Sequence, residues 1–289
     1  MPDHFPKISV ITAVYNQAAY IEDCILSVIG QGYPDLEYIV FDGGSTDGTT
    51  DIIKKYEDKI HYWVSEKDRG LYHALHKGLS LATGEIMGWL NSDDILHRKS
   101  LFTIAEIFSQ HQEVKWLQGY PTTIEDAGRI VFHRPPCYSR YFFYLKEYHS
   151  GIFIQQESTY WRRDLWEASG AQISTDYKYA GDFELWMRFF NHAELYITQS
   201  MIGAFRVRRQ GQLSKDNYQA YIAECDSIVD VVLKGLPPKE LALLRRVRLG
   251  NRIKRRFPLF TRGFFDRWTD HRTAPRRIDF DFDKSVFKS

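Results

Sequence analysis

Four apolar runs of strand length, separated by three stripes of helical period, fill residues 7–90, and few folds accept that order. Residues 7–14, KISVITAV, form a continuous β-branched run, as a strand buried on both faces requires. Asn16 is placed to cap a helix in which Ile21, Cys24, Ile25 and Val28 recur at helical spacing. Residues 37–41 make a second strand ending at Asp42. The turn GGSTDGT then leads into a helix that Thr46 or Asp47 can cap, with Ile52, Ile53 and Tyr56 on its inner face. Residues 61–64 read as a third strand. Leu71, Ala74, Leu75, Gly78, Leu79 and Ala82 trace one helical face, stopped by Gly84, and residues 85–90 are the fourth strand. The alternation predicts an α/β fold with a parallel, doubly wound sheet.

Such a sheet brings the loops after Val14, Phe41, Val64 and Leu90 to one rim, where open α/β folds bind ligands. Tyr15, Asn16, Asp42, Ser45, Asp68, Arg69, Asn91, Asp93 and Asp94 therefore converge. The fourth strand ends in Asn91-Ser92-Asp93-Asp94, and adjacent carboxylates at a buried strand end call for a cation. The hard oxygens of Asn91, Asp93 and Asp94 suit Mg²⁺ or Mn²⁺. Alternatively, Ser92 or Asp94 caps the helix that starts near Ser100, or the loop is a solvated turn. The convergence favours the metal. Gly43-Gly44 and Gly48 are ordinary turn chemistry, and these strand ends carry no G-x-G-x-x-G or Walker loop, which disfavours a dinucleotide fold or a P-loop ATPase.

Beyond the stripe of Leu101, Ile104, Ala105 and Phe108 the pattern turns antiparallel, with strands at 114–119 and 129–133 around a turn at 125–128, so the whole sheet is mixed. Tyr138, Tyr141, Phe142, Phe143, Tyr144 and Tyr148 are rings for core packing, sugar stacking or lipid contact, of which packing is the commoner fate. Residues 152–161 read as a strand carrying Gln155, Gln156 and Glu157. Residues 181–190 form a helix that buries Phe183, Trp186, Met187 and Phe190, and Asp182 at its start favours the macrodipole. Residues 194–202 make a late strand before the polar segment 206–214.

A net charge of +1 conceals a division: residues 236–277 hold 13 Lys/Arg against 3 Asp/Glu, leaving 25 against 34 elsewhere. A basic tail on an acidic body seeks a membrane or a nucleic acid. Leu243, Val247, Leu249, Ile253 and Phe257 fall on one side of a helix and Arg245, Arg248, Arg252, Arg255 and Arg256 on the other, followed by Phe264, Phe265 and Trp268. That helix either docks on an anionic membrane surface or packs on the body with a solvated basic face. Cys24, Cys137 and Cys225 lack metal-ligand spacing and fit buried thiols in a reducing, cytoplasmic setting. Without a signal-peptide pattern or an apolar run of ~18 residues, membrane contact is expected to be peripheral, at the inner face of the cell membrane.

SVITAVYN, FDGGSTDGT, SEKDRGLYHALHKGLSLATGEIMGWLNSDD and AGDFELWMR, in this order, resemble the bacterial family 2 glycosyltransferases of GT-A fold, over about residues 7–214. The resemblance implies a catalytic domain at 1–214 and leaves 215–289 as a basic helical extension. It implies that Ala13, Tyr15 and Asp42 surround the base and ribose of a sugar donor, and that Asp68, Arg69 and Lys77 line its pyrophosphate and sugar. Asn91, Ser92 and Asp93 occupy the DXD position, with Asp93 the metal ligand and Asp94 supporting it. Asp182 matches the catalytic carboxylate, while Arg206 and the turn at 211–214 match a loop closing over the phosphates.

The chain departs from the pattern where Asn91 replaces an Asp, where Gly181 replaces the Glu of the ED motif, and where His73 and His76 stand for Asp and Asn. The resemblance implies an inverting, metal-dependent transfer from a nucleotide-sugar, UDP preferred, to a glycan acceptor, polyprenyl-linked, in surface polysaccharide or lipopolysaccharide synthesis. Asp182 then acts as the base, ionised at neutral pH with an ordinary pKa of ~4. The rivals are a sugar-phosphate nucleotidyltransferase, whose basic glycine-rich N-terminal loop ITAVYNQAAY is not, and a silent glycan- or membrane-binding protein. Specific nucleic-acid binding is not expected of an acidic body without a reading motif.

Overall fold

The computed structural model describes residues 5–133, 139–208, 212, 216–256 and 275–289. Strands β1 (Ile8–Val14), β2 (Leu36–Asp42), β3 (Tyr62–Ser65) and β4 (Ile86–Trp89) pair in parallel in the order β3-β2-β1-β4, linked by α1 (Ile21–Ile29), α2 (Thr49–Lys54) and α3 (Leu71–Leu81). The short β5 (Ile95–Leu96) and α4 (Ser100–Gln110) follow the acidic loop. β6 (Trp116–Ile124) and β7 (Ile130–His133) form the expected hairpin. After α5 (Arg140–Tyr144), β8 (Thr159–Arg162) inserts antiparallel between β4 and β6. α6 (Arg163–Ala168) and α7 (Gly181–Phe189) precede β9 (Leu195–Arg206), which lies parallel to β6. Along the main path of the sheet, five of the eight pairings among the described residues are parallel.

Because side chains alternate across a strand, the sheet divides the interior into two cores. Ile8, Val10 and Val14 of β1 face Ile21, Cys24 and Ile25 of α1 and Leu101 and Ile104 of α4. Ile11 and Ala13 face the other way, toward Leu75 and Leu79 of α3 and Phe183 and Trp186 of α7. In this second core Trp89 of β4 stacks on Trp186 at 5.3 Å, only 4° from parallel, while Trp161 of β8 meets both edge-on. β4 ends at the acidic loop and α7 begins beside Asp182, so the stack fixes the two relative to each other. Tyr141, Phe143, Tyr144 and Tyr148 are buried in the same core, the packing fate.

Two local expectations change and one holds in part. Asn16 does not cap α1: its φ is +50°, and its side chain accepts the Thr46 amide, tying two rim loops together. The strand expected at 152–161 begins only at Thr159, because the Gln155 carbonyl is taken locally by Ser158 N–H and the Thr159 hydroxyl, closing a tight turn. Gly48, not Asp47, occupies the cap position of α2, but the Asp47 carboxylate does accept the first amide of the helix, Thr49 N–H, at 3.1 Å and, with its other oxygen, Ala18 N–H at 3.0 Å.

Two helices follow, α8 (Tyr218–Gly235) and α9 (Pro238–Arg256). α8 sinks Cys225, Ile228 and Val229 into the second core. On α9 the buried side chains of the apolar set are Leu244 and Val247, beside the buried Gly250, with Leu243 and Ile253 half-buried and Leu249 exposed, because position 249 falls across the helix from 244 and 247. Arg245, Arg246, Arg248 and Arg252 point outward, which is the packed-helix arrangement. The helical expectation omitted a strand: β10 (Arg276–Asp281) extends the sheet parallel to β9 and carries β11 (Val286–Lys288). Cys24 and Cys225 are buried free thiols. Cys137, Tyr138, Gly211, Leu213, Ser214, Phe257, Phe264, Phe265 and Trp268 lie outside the described residues. No helix among the described residues is long and apolar enough to cross a membrane.

Trp186→Ala removes the ring shared by Trp89, Trp116 and Trp161 and is expected to destabilise by about 4 kcal/mol in urea unfolding. The exposed Leu81→Ala is expected to change stability by less than about 0.5 kcal/mol.

Candidate active site

The rim loops surround a cleft of about 790 Å³. Ala13 and Tyr15 line it from the end of β1, Asp68 from the loop after β3, Asn91, Ser92 and Asp93 from the acidic loop, and Asp182 from α7. Asp42, Arg69, Lys77, Asp94 and Arg206 stand off the lining. Asp42 is turned inward, where its carboxylate accepts the Gly44 and Ser45 amides and the Ser45 and Ser65 hydroxyls. Arg69 is exposed, and Lys77 pairs with Glu66 at 2.5 Å.

Carboxyl groups concentrate at the floor. Asp94 is 1% exposed and accepts Arg206 N–H at 2.8 Å and the Gln156 amide at 3.0 Å. Its burial, with Asp93 and Glu157 nearby, pushes its carboxyl well above the usual range. Glu157, also buried, is pushed up to about 8 by desolvation. Asp93 is raised by desolvation too, opposed by Arg208, whose guanidinium pairs with it at 3.0 Å. The amide oxygens of Asn91, Gln155 and Gln156 are buried on the lining without a hydrogen-bond partner. Buried acceptors in that condition are costly unless a donor or a cation meets them.

Arg206 is the clearest correction. The resemblance assigned it to a loop over the phosphates, yet it is 1% exposed and built into the structure. Its guanidinium donates to the Asp93 and Asp126 carbonyls and to Asp23, because the residue closes β9 and its backbone is already held by Asp94. Arg208, two residues on, is the arginine of the cleft; both guanidiniums lie against the Tyr20 ring, at 5.3 and 5.6 Å.

Asp182 is not the ordinary carboxylate expected. Burial pushes it up to about 6, opposed by the Phe183 amide and the Tyr72 hydroxyl and reinforced by Glu224. The Tyr72 hydroxyl has one proton and two acceptors in reach, the Tyr179 carbonyl at 2.7 Å and Asp182 Oδ1 at 3.1 Å. Tyr72 also accounts for Gly181: a Cβ there would sit 2.9 Å from the Tyr72 ring, so the space of the missing Glu is filled by an aromatic face. Tyr72 shares the buried face of α3 with Leu75 and Leu79, and what no local signal shows is that its hydroxyl reaches Asp182 of α7.

The family described as Glycosyl transferase family 2 matches residues 9–168. The chain belongs to glycosyltransferase family 2. Over 135 residues this family 2 chain is 36% identical to the protein named "Putative teichuronic acid biosynthesis glycosyltransferase TuaG" of Bacillus subtilis, a match covering 45% of the chain and 54% of TuaG. The chain thus spans about half the length of that relative. Among solved structures it is similar to S. aureus TarS 1–349 in complex with UDP-GlcNAc, with a TM-score of 0.65 at 20% identity, covering 88% of this chain and 73% of that one. It is also similar to the mannosyltransferase PcManGT of Pyrobaculum calidifontis in complex with GDP-Man and Mn²⁺, with a TM-score of 0.53 at 18% identity, covering 92% and 84%. Its fold is GT-A.

Arg206→Met is expected to lower stability by about 3 kcal/mol in urea unfolding, since buried carbonyls and Asp23 lose their donor. Arg208→Met removes the partner of Asp93, and carboxyl NMR is expected to show Asp93 titrating higher still.

Proposed function

We propose that this family 2 chain is an inverting glycosyltransferase that moves a sugar from a nucleoside-diphosphate donor to a glycan acceptor in surface polysaccharide assembly. The observation that carries this reading is that one cleft holds both an acidic, oxygen-rich floor paired to Arg208 and a separate, desolvated Asp182. Ala13 and Tyr15 would receive the nucleoside, with Asp42 shaping the turn behind them. Residues 1–214 would supply the donor site and the base, and 215–289 the acceptor wall, through Tyr218 and Tyr221. The TuaG name supports a surface polysaccharide, and the UDP-GlcNAc in TarS and the GDP-Man in PcManGT support a nucleotide-sugar donor.

Asp182 accepts the proton of the acceptor hydroxyl as its oxygen attacks the anomeric carbon. The bond from that carbon to the diphosphate oxygen breaks with both electrons leaving on the diphosphate, so a single displacement inverts the centre. Arg208 offsets the charge that develops there. A divalent cation fits the loop: the unpartnered Asn91 oxygen and the Asp93 carboxylate are hard donors. Bound there, it would add electrostatic stabilisation to the leaving diphosphate. Although α9 packs on the body, its outward arginines leave a basic face that would allow peripheral contact with the inner face of the cell membrane, where a polyprenyl-linked acceptor would lie.

Nucleotide release from UDP-, GDP- and dTDP-sugars, with Mn²⁺ or Mg²⁺ and membrane extract as acceptor, tests this reading. One donor is expected to turn over, and Asp182→Asn to lower kcat by about 10²- to 10⁴-fold while retaining donor binding. Because the base must be ionised, the rate is expected to fall as pH drops through about 6. Equilibrium dialysis is expected to show Mn²⁺ binding tightened by the nucleoside diphosphate and lost in Asp93→Ala. Donor binding without turnover would instead indicate a silent binding protein.

A further inference from the structure

The segment that carries Asp182 into the cleft and the residue that holds it both lie beyond the region matched to the family. The backbone amides of Lys178, Tyr179 and Ala180 all point at one carboxylate, Glu224 of α8, at 3.1, 2.9 and 2.8 Å. Three consecutive amides on one charged acceptor make a strong local anchor, since hydrogen bonds to an ionised group are about twice as strong as neutral ones. From the other side the Tyr72 hydroxyl donates toward the Tyr179 carbonyl, and the Tyr179 hydroxyl meets Asn217 at 3.0 Å. Ala180 is the residue before α7, and Asp182 is the second residue of that helix. The anchor therefore sets where the helix starts and where the carboxylate points.

The geometry points to Glu224 as a positioning residue for Asp182: it fixes the 178–180 backbone and so holds the base at the reacting hydroxyl, without itself touching substrate. This rests on the proposed role of Asp182 as the base. It makes α8 part of the transfer machinery rather than an appendage, because displacing α8 would release the base. The ionisable groups facing Asp182 are Tyr72 of α3, Tyr221, Glu224 and Cys225 of α8, and Glu157 of the turn before β8. Glu224 among them raises the Asp182 carboxyl, so neutralising it moves that titration down.

Glu224→Gln keeps the size and removes the charge; Glu224→Asp keeps the charge and shortens the reach. Hydrogen exchange of peptides covering 178–182 is expected to be at least about 10-fold faster in the Gln variant, and carboxyl NMR to show Asp182 titrating lower. With the donor that the wild type accepts, kcat is expected to fall about 10- to 100-fold with KM for the donor within about two-fold, and the acid limb of kcat to move to lower pH. Glu224→Asp is expected to recover the wild-type acid limb but only part of kcat. Unchanged kcat and acid limb, even with a lower unfolding midpoint, would make Glu224 merely structural and overturn the inference. If the wild type turns over no donor, the base assignment itself has failed, and unchanged exchange at 178–180 would then overturn the anchor as well.

Discussion

The stack of Trp89 on Trp186 joins the strand that ends in the acidic loop to the helix that carries Asp182. Burying two indoles face to face is worth several kcal/mol of apolar burial plus about 1 kcal/mol of ring contact, and it resists sliding because Trp161 wedges both rings and Trp116 packs on Trp186. The distance between the acidic floor and Asp182 is thus set in the core, below the cleft, rather than by the loops that form its mouth. Loops are free to vary once that spacing is secured.

The floor itself is electrostatically unfinished. Asp93, Asp94 and Glu157 are desolvated together, and each raises the cost of charging its neighbours. Two arginines divide the compensation. Arg206, sealed against backbone carbonyls, stabilises the loop, while Arg208 reaches Asp93 at the cleft. The unpartnered oxygens of Asn91, Gln155 and Gln156 leave the remainder for what binds.

The parallel half of the sheet was legible because KISVITAV is a continuous β-branched run of strand length and the 71–82 stripe carries the 3.6 period without interruption. The order Asn91-Ser92-Asp93-Asp94 after an apolar run likewise placed the acidic floor. Long-range contacts were not legible. Arg206 and Arg208 look equivalent in RVRRQGQLS, and only the pairing of β9 with β6 decides that one is sealed and the other reaches the cleft. Glu224 sits in an ordinary amphipathic helix, and nothing in its neighbours announces three amides some 45 residues upstream. Asp182 was found by resemblance, but its raised pKa comes from burial against Tyr72 and α8, whose arrival no local pattern shows.

The most direct test is a structure of the protein with a bound nucleoside diphosphate. The base is expected beside Ala13 and Tyr15, the phosphates next to Asp93 and Arg208, and the Asp182 carboxylate free of phosphate, facing the side of the cleft lined by Tyr218 and Tyr221. Phosphates seated on Asp182, or a nucleotide bound away from Asp93, would contradict the proposed division of the cleft into a donor floor and a separate base.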